Sequence, residues 1–182
     1  MNVRNAILLA ALLTASAVAG YLVYDTKSAA TANRSDKAAG EALAQMRPEF
    51  SLPDVGGSLR SISEWDGKAL IVNFWATWCT PCLREIPLLI EMNDELKSQG
   101  IQIIGIAVDD PELVRQFAAK TAFNYPILVG EQEALDAAEA FGADVIALPL
   151  TVISDKTGSI IDLHAGEITR DDLIGMRALL LP

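Results

Sequence analysis

The sequence has little of what several kinds of site require. Its 182 residues include two cysteines and one histidine, too few for a disulfide scaffold or for a four-cysteine zinc or iron–sulfur site. Only 14 basic residues stand against 24 acidic ones, and this net charge of −10 argues against nucleic acid as a partner, because phosphate binding needs a basic patch. No internal repeat of roughly 20 to 50 residues is visible. The 51% share of hydrophobic residues excludes a disordered chain.

Residues 1–24 are predicted to be an N-terminal signal-anchor, or transmembrane, helix. Residues 6–24 form a run of 19 residues without a charge, about the length that crosses a bilayer as a helix. Arg4 precedes the run, so the positive-inside bias places the N-terminus in the cytoplasm and the rest of the chain outside it. A cleaved signal peptide is the alternative, because residues 15–19 offer small-residue cleavage patterns. Both interpretations export the domain that follows.

The chain then divides into a flexible linker, residues 25–47, and a domain, residues 48–182. The linker is rich in Ala, Ser, Thr, Asn and Lys. Residues 1–47 carry 5 basic and 3 acidic groups, a net charge of +2, and residues 48–182 carry 9 basic and 21 acidic groups, a net charge of −12. A slightly basic export segment therefore precedes a strongly acidic domain.

The domain alternates predicted strands and helices. Period and turn signals predict a short hairpin and then strands and helices in alternation. The predicted strands are residues 50–52, 59–62, 69–74, 101–108, 125–129, 150–154 and 159–164. The predicted helices are residues 81–99, a helix opened by Asp110, residues 131–141 and a final helix capped by Thr169 and Asp172. This order predicts an α/β sandwich with a mixed sheet.

Cys79 and Cys82 are the candidate catalytic pair. They follow a buried strand and open a helix, so the free amides and the dipole at the helix N-terminus should lower the pKa of the Cys79 thiol. Cys82 lies three residues on, on the same helical face, close enough to form a disulfide. We expect an exposed Cys79 to attack a target disulfide, and Cys82, inside the first turn, to resolve the mixed disulfide.

Three other kinds of site can contain such a pair of cysteines. A purely structural disulfide would close a very small loop and restrict the unfolded chain little. A copper-binding assembly factor would use the two thiols and His164 as ligands. A peroxidase would carry proline and threonine or serine at the positions of Val72 and Ala76, and the sequence has neither there.

Residues 72–82, continued by residues 84–87, resemble the active-site segment of the TlpA/ResA-like thiol-disulfide oxidoreductases of the thioredoxin superfamily. Residues 66–68 and 148–151 also fit, and the resemblance covers about residues 48–182. It implies a thioredoxin-like three-layer α/β/α sandwich with a mixed sheet, an N-terminal hairpin and a central insertion. It also implies a domain that faces the periplasm from the bacterial inner membrane, or a soluble periplasmic domain if the N-terminal segment is cleaved.

The resemblance also assigns further site residues. Thioredoxins carry a buried aspartate where this chain has Asn73, which cannot titrate. TlpA/ResA-like proteins carry a glutamate at the position of Glu85, which we expect to be partly buried and to exchange a proton with Cys82. The family's cis-proline loop implies a cis peptide between Leu148 and Pro149. Substrate docking is assigned to Trp78, Thr80, Pro81, Leu148 and Pro149.

The implied activity is reduction of disulfides in exported client proteins, namely apocytochrome c or proteins that receive copper for cytochrome oxidase. A membrane thiol transporter would supply electrons, and no cofactor beyond the cysteine pair is expected. Two alternatives stay open: a DsbA-like thiol oxidase, since the same thiols run in either direction according to redox poise, and the copper-binding assembly factor.

Overall fold

A five-stranded sheet forms the centre of the domain in the computed structural model, which describes residues 45–143 and 147–181. The strands follow a short antiparallel hairpin, as the sequence predicts. The hairpin strands are β1 (Ser51–Pro53) and β2 (Leu59–Ser61), and the sheet strands are β3 (Ala69–Trp75), β4 (Ile101–Val108), β5 (Ile127–Gly130), β6 (Leu150–Ser154) and β7 (Ile160–Ala165). Across the sheet the order is β5-β4-β3-β6-β7. The strands β3, β4 and β5 are parallel, and β6 and β7 are antiparallel to their neighbours, so the mixed sheet is confirmed.

Within the described residues, four α-helices cover the two faces of the sheet. They are α1 (Thr80–Ser98), α2 (Pro111–Ala118), α3 (Gln132–Ala140) and α4 (Arg170–Leu180). Successive side chains of a strand point to opposite faces, and the two buried clusters of the core divide β3 in this way. Ile71 and Trp75 pack with residues of α1, α2 and α4, whereas Leu70 and Phe74 pack with α3 and the hairpin. The three-layer α/β/α sandwich is therefore confirmed.

The helix starts follow the capping signals in the sequence. Asp110 accepts hydrogen bonds from the backbone N–H groups of Glu112 and Leu113 at the start of α2. Thr169 and Asp172 form a reciprocal capping box at the start of α4. Each cap satisfies amides that have no partner within their helix. These local signals are the reason that the predicted helix boundaries lie within a residue or two of the observed ones.

Only the last three residues of the predicted linker are described, and they pair with the domain. Ile160 N–H donates to the carbonyl of Gln45 and Arg47 N–H donates to that of Gly158, and Met46 forms an isolated bridge with Ser159. The predicted anchor and the rest of the linker lie outside the described residues. In the described ranges, no helix has the length and apolar character needed to span a bilayer.

Candidate active site

A short loop connects the end of β3 to Cys79, which is the N-cap residue of α1. The Cys79 backbone is extended, its N–H donates to the carbonyl of Ala76 at 3.2 Å, and its Sγ accepts a hydrogen bond from the backbone N–H of Cys82 at 3.3 Å. The two cysteines form a disulfide with their Cα atoms 5.3 Å apart. When the disulfide is reduced, the same N–H and the positive end of the helix dipole favour a thiolate at Cys79.

The two cysteine residues differ less in exposure than the sequence suggested. Cys79 is 5% exposed and Cys82 is fully buried, so the expectation that Cys79 is exposed is wrong for the disulfide form. The N-cap position accounts for this difference, because it turns the Cys79 side chain back over the first turn of α1, towards Cys82. Cys79 nevertheless remains the more exposed of the two residues.

Glu85 lies one turn beyond Cys82 on α1 and is 1% exposed, deeper than the partial burial expected from the sequence. Both of its carboxylate oxygens accept hydrogen bonds. Oε1 accepts one from Asn73 Nδ2 at 2.7 Å, and Oε2 accepts one from the backbone N–H of Ile168 at 2.7 Å. A buried carboxylate needs such donors because it has lost its hydration.

Burial raises the pKa of Glu85 to about 7, although the bonds from Ile168 and Asn73 act in the opposite direction. The negative charge of Glu167 adds to the rise. Burial also raises the pKa of the Tyr125 hydroxyl, and the Glu85 charge contributes to that shift. A carboxyl group with a pKa near neutrality can exist in both protonation states under physiological conditions, which suits proton exchange.

Asn73 lies in the middle of β3, between β4 and β6, and is completely buried. Its Nδ2 donates to Glu85 and also to Thr151 Oγ1 at 3.0 Å. Thr151 is its partner across the β3–β6 ladder. The amide therefore occupies the position that the family resemblance assigns to a buried aspartate in thioredoxins, and it holds Glu85 by a hydrogen bond.

The predicted docking residues line the same end of the sheet. Trp78 is 67% exposed, Thr80 is exposed and Pro81 is half-buried. The Leu148–Pro149 peptide is cis, which confirms that prediction. Because Leu150 pairs with Phe74, Pro149 lies at the end of the sheet where β3 leads into Cys79.

The comparisons with known proteins agree with this geometry. The AhpC/TSA family model matches residues 43–163. Thiol-disulfide oxidoreductase ResA of Geobacillus kaustophilus (strain HTA426) is 33% identical over 171 residues, covering 93% of this chain and 90% of that protein. ResA of Bacillus subtilis (strain 168) is 30% identical over 137 residues, covering 74% of each. The crystal structure of a thiol:disulfide interchange protein from Chlorobium tepidum matches with a TM-score of 0.68 at 28% identity, covering 76% of this chain and 97% of that one.

This chain belongs to the AhpC/TSA family, as a ResA-like thiol-disulfide oxidoreductase. The resemblance drawn from the motif is therefore confirmed, and so is the enzyme class. A second structure from Chlorobium tepidum, of a putative thiol:disulfide interchange protein DsbE, has a TM-score of 0.66 at 22% identity and shows the shared fold.

Asp109, near the oxidoreductase's cysteines, is not among the site residues predicted from the sequence. Asp109, just after β4, accepts hydrogen bonds on Oδ2 from the backbone N–H of Thr77 at 2.8 Å and from its hydroxyl at 2.5 Å. Its Oδ1 accepts from the N–H of Asp110 at 2.8 Å. The parallel pairing of β3 and β4 could have indicated it, because the ends of parallel neighbours meet at one edge of the sheet.

His164, the proposed third copper ligand, lines a groove whose lining residues do not include Cys79 or Cys82. It lies on β7 and lines a shallow groove with Asp162, Asp171 and Asp172. Within the described part of the oxidoreductase, no group of three or more histidine, cysteine or acidic side chains is arranged to hold a metal ion.

Proposed function

We propose that this oxidoreductase reduces disulfide bonds of exported client proteins through attack by Cys79 and resolution by Cys82. The observation that carries the proposal is the placement of Cys79 at the N-terminus of α1, with Cys82 and Glu85 buried behind it on the same helix. This arrangement places the nucleophile closer to the surface than the fully buried resolving thiol, and it places a titrating carboxyl one turn further along the helix.

The proposed reaction starts from the reduced pair. The Cys79 thiolate attacks one sulfur of a client disulfide, the client S–S bond breaks, and the departing client sulfur takes a proton. The Cys82 thiolate then attacks Cys79 Sγ in the mixed disulfide. The bond between Cys79 and the client breaks, the second client sulfur takes a proton from water, the client leaves with two thiols, and Cys79–Cys82 becomes the disulfide. Two electrons have passed to the client.

Glu85 is proposed to handle the proton of Cys82. The buried Cys82 thiol must lose its proton before it can attack, and bulk water does not reach it. The charged Glu85 carboxyl accepts this proton during oxidation of the pair and returns it when the pair is reduced again. Its pKa of about 7 supports this role, because proton transfer is most effective when the pKa of the catalytic group is close to the working pH.

The client is proposed to dock on the surface around the disulfide. The exposed ring of Trp78 supplies apolar contact area, and Thr80 and Pro81 present the loop between the cysteines. The cis loop of Leu148 and Pro149 offers backbone groups to an extended client segment. The carbonyl of Pro149 accepts a hydrogen bond from the N–H of Gly166 at 2.8 Å, which ties this loop to the end of β7.

The setting of the reaction is also part of the proposal. The uncharged run of residues 6–24 supports a single anchor in the bacterial inner membrane, with the domain in the periplasm. The proposed clients are apocytochrome c or proteins that assemble the copper site of cytochrome oxidase, and the electron donor is a membrane thiol transporter. The names of the ResA relatives support the exchange chemistry. No cofactor beyond the Cys79–Cys82 pair is needed for it.

Client capture tests the proposal in cells that produce the full chain. The Cys82→Ser variant keeps the nucleophile but cannot resolve the mixed disulfide, so clients should remain attached to Cys79. The matched control is the double variant with Cys79→Ser and Cys82→Ser, which should trap nothing. Trapped apocytochrome c would identify cytochrome maturation, and trapped copper-site proteins would identify oxidase assembly. Absence of any adduct specific to Cys82→Ser would overturn the proposal.

A further inference from the structure

The side chain of Asn73 uses its two polar atoms unequally. Nδ2 donates both of its hydrogens, to Glu85 Oε1 and to Thr151 Oγ1. Oδ1 is buried and accepts no hydrogen bond from any residue within the described ranges. Buried amide oxygens are nearly always paired, so the unpaired Oδ1 indicates that this orientation of the amide serves some other requirement. The charged form of Glu85 sets that requirement, because a carboxylate can only accept hydrogen bonds and therefore needs N–H donors directed at it.

Protonation of Glu85 removes that requirement. Each carboxylate oxygen already faces an N–H group: Oε1 faces the Asn73 amide, and Oε2 faces the backbone of Ile168. A carboxylic acid has one oxygen that donates, and a donor directed at another donor is unfavourable. The N–H of Ile168 belongs to the backbone and cannot turn away. Asn73 can turn, because exchanging its amide N and O requires only rotation about the Cβ–Cγ bond.

We propose that Asn73 is a two-position switch for Glu85: its amide N–H faces the carboxylate, and half a turn presents Oδ1 to the carboxylic acid. In the turned position Oδ1 accepts the hydrogen of Glu85 Oε1, while Oε2 continues to accept from Ile168. Asn73 is thus a positioning residue that acts through Glu85 and stabilises both protonation states of the carboxyl.

Thr151 suits both positions of the switch. A hydroxyl group can accept through its lone pairs or donate by rotating its hydrogen. In the observed position Thr151 Oγ1 accepts from Asn73 Nδ2. After the half turn the same hydroxyl can donate to Oδ1, so Oδ1 then accepts two hydrogen bonds, while Nδ2 moves to the buried place that Oδ1 leaves. An aspartate in place of Asn73 would bring a second negative charge against Glu85 and could not serve the charged state.

Several other groups bear on the titration of Glu85. Glu167, held by Arg84, raises its pKa, and Tyr125 senses its charge. The cysteines lie one turn earlier on α1, and His164 pairs with Thr151 across the β6–β7 ladder. Only Asn73 and Ile168 donate hydrogen bonds to the Glu85 carboxyl among the described residues. The use of the switch in thiol exchange rests on the proposed function, whereas the rotation itself can be measured without a client.

Nuclear magnetic resonance of the full chain, with its disulfide intact, tests the switch between about pH 5 and pH 9. The side-chain NH₂ of Asn73, assigned through bonds, should show close proton–proton contact with Thr151 at pH 9 and should lose that contact at pH 5. The midpoint should coincide with the titration of the Glu85 carboxyl carbon. Asn93 is an internal control. Its buried amide donates to the carbonyl of Asn124 at 3.0 Å and also has an unpaired Oδ1, but its partner does not titrate, so its spectrum should stay unchanged.

The Glu85→Gln variant provides the second arm. Oε1 of the introduced amide must accept from Ile168, so its NH₂ faces Asn73 at every pH and should hold Asn73 in the turned position at pH 9. Retention of the wild-type Asn73 contacts in this variant, or an unchanged Asn73 signal throughout the Glu85 titration, would overturn the switch. If Asn73 turns but exchange kinetics do not depend on Glu85, the proposed proton transfer fails and the switch stands.

Discussion

The carboxylate of Asp109 accepts two hydrogen bonds from Thr77, one from its backbone N–H and one from its hydroxyl. Thr77 lies two residues before Cys79, in the short loop that joins β3 to α1. The loop also contains the exposed Trp78. Asp109, which directly follows the neighbouring strand β4, holds the loop in position through Thr77. The interaction thus ties the segment that carries Cys79, the proposed nucleophile, to the adjacent strand of the sheet.

Replacing Asp109 should therefore loosen the Cys79 loop. Asp109→Ala removes three hydrogen bonds to a carboxylate and leaves two backbone N–H groups without partners, so the free energy of unfolding should fall by about 2 to 3 kcal/mol. Thr77→Val removes one bond and should cost about 1 kcal/mol. Denaturant unfolding of the two single variants and the double variant would measure the coupling between the two side chains.

Asp110 provides the matched control for this experiment. Asp110→Ala removes the cap of α2 at a cost of about 1 kcal/mol, without touching Thr77. At a temperature where all variants are folded, Asp109→Ala should reduce a test disulfide more slowly, whereas Asp110→Ala should keep the wild-type rate. Equal rates for these two variants would show that the Asp109 contact does not position Cys79.

The burial of Glu85 predicts a pH dependence of stability. Its pKa is raised by burial to about 7 in the folded protein from an ordinary value of 4.5, so the folded state binds this proton more tightly than the unfolded state. The contribution is fully present below about pH 4.5 and is lost as the pH rises through 7, amounting to about 3 kcal/mol. Glu85→Gln should remove this loss. Denaturant unfolding of the wild-type protein and of Glu85→Gln at pH 5 and pH 8, each with its disulfide intact, would measure this loss. Equal changes in the free energy of unfolding with pH in the two proteins would contradict the prediction.

The proposed role of Glu85 also predicts an inflection in the pH dependence of the rate of thiol-disulfide exchange. The rate at which Cys82 resolves a mixed disulfide should rise as Glu85 loses its proton near pH 7 and should then level off. Glu85→Gln should remove this inflection and slow resolution about a hundredfold, the lower end of the effect that positioned general bases contribute, roughly 10²- to 10⁴-fold. Single-turnover reduction of a model disulfide by the reduced protein checks this. Glu91→Gln, at an exposed position of the same helix, is the control, and an unaltered profile in Glu85→Gln would remove Glu85 from the mechanism.

Trp78 should affect client recognition more than stability. Its side chain is mostly exposed, so Trp78→Ala should change the free energy of unfolding by no more than about 0.5 kcal/mol. Reduction of a protein disulfide should slow several-fold, while reduction of a small-molecule disulfide should remain near the wild-type rate. Leu179→Ala is a suitable control, because Leu179 is an exposed apolar residue near the end of α4. Equal slowing for protein and small-molecule substrates would argue against docking by Trp78.

Leu179 is far from the cysteines because of the way α4 lies along α1. Three ion pairs join the segment of α4 and its preceding loop to α1 in the same order along both: Glu167 with Arg84, Arg170 with Glu91, and Arg177 with Glu95. The two helices therefore run in the same direction. Leu179 lies near the end of α1 that is remote from the cysteines, so its truncation should leave the active site unaffected.

Local sequence signals were sufficient for most of the fold. The apolar runs of β3 and β4, the caps at Asp110 and Thr169, and the glycine after α1 act within a few residues, and the structure has these elements within a residue or two of the predictions. The Cys79–Cys82 spacing at a helix start is likewise local, since three residues in a helix return to the same face. Such features depend on backbone propensity and periodicity, which a single sequence displays.

The surroundings of Glu85 and Cys79 required the tertiary structure. Sequence and family resemblance indicated a partly buried Glu85, but its almost complete burial depends on Ile168, 83 residues away, and on Asn73, 12 residues away. The Asp109–Thr77 contact spans 32 residues. The Asp109–Thr77 pair forms because the parallel strands β3 and β4 end side by side, and the Glu85 contacts form because α1 packs against β3 and the loop before α4. The sequence by itself therefore determined which residues carry the thiol chemistry. Only the packing of the sheet against α1 decided how deeply Cys79 and Glu85 are buried and which groups form hydrogen bonds with them, since desolvation and hydrogen bonding act through space.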